Sequence, residues 1–98
     1  MTPESLKRKL VSLSDEASAL RNELRISEEH LQHFEQEAED ARLRSLVSET
    51  PLAADGHRQA AGAYTAAKRD RDSLLKKLGK LERKQDELLD RLQKKQSF

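Results

Sequence analysis

The chain has 98 residues, with 19 Lys and Arg against 18 Asp and Glu, a net charge of +1 and only two Phe and one Tyr as aromatic side chains. Such a composition holds too little bulky apolar material for a thick globular core, and a near-neutral charge is far from the basic footprint of most nucleic-acid-binding domains. The lack of cysteine removes disulfides, thiol catalysis and thiolate metal sites, and three Gly and two Pro exclude collagen-like and Pro-rich chains.

What remains is rich in Leu, Ala, Glu, Lys, Arg and Gln, side chains that lose little rotamer freedom in a helix and compete weakly with its backbone hydrogen bonds. The opening Met1-Thr2-Pro3-Glu4-Ser5 lacks a basic stretch followed by an apolar one, so no cleaved secretory signal is expected there. Thr2-Pro3 reads instead as a helix start, with Thr as the capping acceptor and Pro at the first helical position, where its missing N–H costs nothing. From there, steps of four and three residues give Leu6, Leu10, Leu13, Ala17, Leu20, Leu24, Ser27, Leu31, Phe34, Ala38, Ala41 and Ser45. This heptad seam predicts a first helix over about 3–48, roughly 70 Å long at 1.5 Å per residue.

Thr50-Pro51 repeats the start signal, which predicts a turn at about 49–51 and a second helix over about 52–95. Asp55-Gly56 offers a competing start with Asp as the cap. The second ladder runs Ala53, His57, Ala60, Tyr64, Ala67, Arg71, Leu74, Leu78, Leu81, Gln85, Leu88 and Leu92. Nineteen of the 24 ladder positions are apolar, where a 35% hydrophobic composition yields about 8 by chance.

The heptad phase jumps between the halves, and Pro51 would clash with the preceding turn of a continuous helix, so the chain is expected to fold back. Folding it about residue 49 pairs positions whose numbers sum to 98: Leu6 with Leu92, Leu10 with Leu88, Leu20 with Leu78 and Phe34 with Tyr64. The same register brings Glu16 toward Lys84, Glu23 toward Lys77, His30 toward Asp70 and Glu28 toward Lys68, with Arg71 facing Ser27 and reaching Glu28 or Glu29. Residues 1–49 carry a net charge of −4 and residues 50–98 one of +5, so the two halves attract. The predicted fold is all-α: an antiparallel coiled-coil hairpin forming one domain over 1–98, able to pair into a dimeric four-helix bundle.

Function is less legible. Apolar residues that the seam does not use mark candidate interaction surfaces: Val11, Leu75 and Leu89 along one edge, and Leu43, Leu46, Val47 and Leu52 around the turn. Lys and Arg stems could cover them, or the turn residues could simply staple the loop. A second candidate is a cationic face on the second helix, where Arg69, Lys76, Lys80 and Arg83 could contact an anion such as nucleic acid. His30 and His33, with Glu29 and Glu37, can be drawn as a metal cluster, but neither a His-Glu-x-x-His nor a Glu-x-x-His spacing occurs there. No phosphate loop or nucleophile arrangement is present, so neither catalysis nor a cofactor is expected.

In outline the predicted hairpin resembles the small secreted WXG-type hairpins, although the turn reads Ser48-Glu49-Thr50-Pro51 and the chain has no Trp. Its shape is also similar to the coiled-coil fingers of bacterial transcript-cleavage factors, whose acidic ends Glu49 and Asp55 would match. The anchoring globular domain of those factors has no counterpart in these 98 residues, and neither outline carries functional residues over. The expectation is a cytoplasmic, non-enzymatic interaction protein that self-associates, without membrane or small-molecule ligand. The alternative is a regulator of a nucleic-acid machine.

Overall fold

A computed structural model describes residues 2–96. It shows an all-α helical hairpin of two helices of equal length, α1 (Pro3–Ser48) and α2 (Pro51–Gln96). Both Thr-Pro pairs act as helix starts. The Ser5 amide donates to Thr2 Oγ1 at 3.1 Å, and the Ala53 amide donates to Thr50 Oγ1 at 3.1 Å. Each bond satisfies one of the donors that a helix leaves open at its N-terminus. Pro51 is the first residue of α2, one position earlier than the expected start at about 52, and the Asp55-Gly56 start is not used. Asp55 accepts instead from the Arg58 guanidinium within α2.

The connection is only Glu49-Thr50. Glu49 has φ 49°, the left-handed conformation that most often ends a helix on Gly. Its amide donates to the Ser45 carbonyl at 3.1 Å, closing the last turn of α1. Thr50 then caps α2 at once, so helix end, reversal and helix start occupy two residues.

The chain divides into two compact units. A terminal unit comprises Met1–Glu23 and Leu74–Phe98, and a turn unit comprises Leu24–Ser73. In the terminal unit Leu6, Leu13 and Leu88 form a buried cluster, with Leu10, Leu81 and Leu92 packed against it. Leu6, Leu10, Leu88 and Leu92, which the register pairs across the seam, thus all belong to one packed region. In the turn unit the buried side chains are Ala41 and Ala67, with Phe34 and Tyr64 half-buried. All 24 ladder positions are buried or half-buried. The seam therefore lies where the heptad pattern puts it, even at its polar members Ser27, Ser45, His57, Arg71 and Gln85.

Candidate functional site

Apolar side chains left outside the seam are the first surface to place. In the turn unit Val47 is 85% exposed and Leu52 82%, with Leu46 at 61% and Leu43 near half. Leu43, Leu46 and Val47 are spaced i, i+3, i+4 and therefore share one outward stripe on the last turns of α1, while Leu52 sits in the first turn of α2. Exposure this high means that Val47 and Leu52 do not staple the connection. In the terminal unit Val11 is 62% exposed, and Leu75 and Leu89 are each just under half exposed. Ile26, a further exposed apolar residue on α1, escaped the sequence reading. It could have been found as the remaining large aliphatic residue of α1 outside the seam.

The polar contacts differ from those the register suggested. Ion pairs seen among the described residues, such as Glu4–Lys7, Arg25–Glu29 and Glu39–Arg42, run along one helix. None of the four expected cross-helix pairs is formed. Lys68 lies over the Tyr64 ring, 4.3 Å from its centroid, instead of meeting Glu28. Arg71 reaches neither Glu28 nor Glu29; its Nε donates to Asp72 Oδ1 at 2.9 Å, leaving the side chain 30% exposed. Neighbours three or four residues along a helix are always within reach, whereas a cross-helix partner must stretch over the seam, and long exposed side chains take the nearer option.

An open groove is found in each unit. In the turn unit Ala38, His57, Ala61 and Tyr64 meet Glu35, Glu39 and Arg42 around a space of about 640 Å³. Arg42 Nε and Nη2 donate to the two Glu39 carboxylate oxygens at 3.0 and 2.7 Å, a bidentate pair on its rim. Hydrogen bonding to Arg42 holds the Glu39 carboxyl below the usual carboxylate range; desolvation opposes it, and the charges of Arg42 and His57 add lesser lowering contributions. In the terminal unit Lys77, Lys80, Lys84 and Glu16 surround Leu20 and Leu81.

Of the cationic candidates, Lys80 lines that second groove and Arg83 lies over Gly79, while Arg69 and Lys76 stand exposed on α2. None of the four has an ion-pair partner among the described residues. His33 stands edge-on to Phe34 with ring centroids 5.4 Å apart, and Glu29 is held by Arg25. Among the described residues no three His, Asp or Glu side chains gather as metal ligands would. No helix among them is long and apolar enough to cross a membrane.

Comparison with protein-family models, curated proteins and solved structures gives no match.

Proposed function

We propose that this hairpin is a non-enzymatic structural or adaptor module that acts by protein–protein interaction and self-association, with its seam packed as a coiled coil. The carrying observation is the exposure of Val47 and Leu52, two large aliphatic side chains flanking the connection with more than four-fifths of their surface in water. Aliphatic surface gains about 25 cal/mol per Å² on burial, so a cluster of such residues favours a covering partner. Support for a non-enzymatic role comes from the site geometry. Both grooves are open to solvent, and no polar or charged side chain among the described residues is buried, so none sits in the water-excluded setting that catalysis uses. A cysteine-free chain suits a reducing compartment, and the cytoplasm is the proposed location.

The test is mass in solution by sedimentation equilibrium across a concentration series. The wild-type chain is expected to exceed its 11.2 kDa monomer mass. Val47→Asp with Leu52→Asp should shift it toward monomer without loss of helical circular dichroism. A wild-type chain that stays monomeric at millimolar concentration overturns the self-association reading.

One observation favours a second reading, regulation of a nucleic-acid machine: Arg69, Lys76, Lys80 and Arg83 have no carboxylate partner among the described residues and remain available to phosphates. Salt-dependent retention on DNA or RNA, lost on replacing these four by Gln, is its expected signature. No retention at low salt removes it.

A further inference from the structure

The two units differ in charge as well as in packing. The terminal unit holds 12 basic and 8 acidic residues, a net of +4, and the turn unit holds 7 basic and 10 acidic, a net of −3. The difference is concentrated on two surfaces of matching chemistry. One is the groove of the terminal unit, about 330 Å³, in which Lys77, Lys80 and Lys84 outnumber Glu16 above a floor of Leu20 and Leu81. Its three lysines have no ion-pair partner among the described residues.

The other is the outward stripe of α1 in the turn unit. At steps of three and four it reads Gln36, Glu39, Asp40, Leu43, Leu46 and Val47. The stripe is thus acidic for one turn and aliphatic for the next, and it contains no Lys or Arg of its own, although Arg42 reaches from the flank to pair with Glu39 and half-buried Asp40 accepts from Gln36, contacts that docking on lysines would exchange. Its apolar part is 47% to 85% exposed, so its own chain leaves it open.

We propose that the stripe Glu39–Val47 of one copy docks in the Lys77–Lys80–Lys84 groove of a second copy. Carboxylates of the stripe meet lysines of the groove, and the aliphatic turn covers Leu20 and Leu81. An amphipathic helix laid in a groove is a recurrent recognition mode, and the opposite net charges of the two units favour stripe on groove over stripe on stripe. This assignment rests on the self-association proposed above and specifies its partner and its surface.

The decisive experiment is a charge exchange read by sedimentation equilibrium. Lys77→Glu, Lys80→Glu and Lys84→Glu together, or Glu39→Lys with Asp40→Lys, should each weaken self-association by at least about tenfold while helical circular dichroism is unchanged. Mixing the two variants should restore association, because the reversed groove then meets the reversed stripe. Since the chain has no cysteine, a second readout is direct. Val47→Cys and Lys80→Cys chains, mixed and treated with a short bismaleimide, should cross-link to each other in preference to like with like. Wild-type association that ignores both reversals, or preferential Val47→Cys self-cross-linking, overturns the groove assignment and leaves self-association standing. A monomeric wild-type chain overturns both.

Discussion

The terminal unit and the turn unit are built from the same two helices and the same heptad pattern, yet they are packed with different material. Of the 11 ladder positions in the terminal unit nine are Leu, whereas of the 13 in the turn unit only Leu24 and Leu31 are. The turn unit fills its seam with Ala38, Ala41, Ala53, Ala60 and Ala67, two aromatic rings and four polar residues. Accordingly Leu6 is 0% and Leu13 2% exposed, while the buried members of the turn unit are alanines. Alanine brings little apolar area to a core, so the heptad spacing alone does not set how much a layer contributes. The terminal unit carries the leucine core, and the turn unit has a thinner core beside exposed aliphatic surface.

Truncation of a seam leucine probes this contrast most strongly. Leu13→Ala should cost about 2–4 kcal/mol in denaturant unfolding, because its neighbours in the leucine cluster cannot collapse onto the gap. Leu31→Ala, at a half-buried position among alanines and polar residues, should cost clearly less. Equal losses would erase the distinction between the two cores. Hydrogen exchange should rank the amides the same way, with the turn unit less protected.

Arg71 tests the polar side of the contrast. It occupies a seam position, pairs with adjacent Asp72 and is still 30% exposed. Arg71→Leu should raise stability by about 1–2 kcal/mol by adding apolar area to the turn unit, measured as a higher denaturation midpoint. A drop would mean that the arginine stem already packs as well as a leucine.

The reversal gives a smaller effect. Glu49 holds a left-handed backbone that costs a residue with a Cβ roughly 1 kcal/mol, so Glu49→Gly should stabilise by about 0.5–1 kcal/mol. An unchanged midpoint would show that the greater freedom of glycine in the unfolded chain cancels the relief.

Acid gives the smallest. Glu39 is lowered by Arg42, so the stability it contributes is present above the ordinary carboxylate range and is lost as pH falls through its lowered folded value. Because both side chains of the pair are about half exposed to water, only a slight loss of turn-unit helicity below that range is expected. Glu39→Gln should remove this increment from the acid titration, and an identical titration in the variant would rule the pair out as its source.

Much of this architecture was legible in the amino-acid order. Both helix starts follow from Thr-Pro chemistry, the break follows from Pro51, and the ladder marks the positions that lie against the other helix. These features depend on local backbone rules and on periodicity, which hold wherever a helix forms. The second helix is one residue longer at each end than expected, starting at Pro51, which itself serves as the first helical position, and ending at Gln96.

The choice of partner by each long side chain was not legible. Lys68 settled on Tyr64 and Arg71 on Asp72, and the cross-helix charge pairs gave way to neighbours along one helix. Several partners of similar energy lie within reach of a flexible exposed side chain, so position in the sequence does not select among them. Exposure at the reversal was equally a matter of tertiary structure. A two-residue connection leaves Val47 and Leu52 without a cover from their own chain, whereas a longer loop could have folded over them. Sequence thus determined where the helices run and which faces meet. Tertiary structure decided which apolar surface was left over, because burial depends on what the reversal brings near, not on the periodicity that produced the helices.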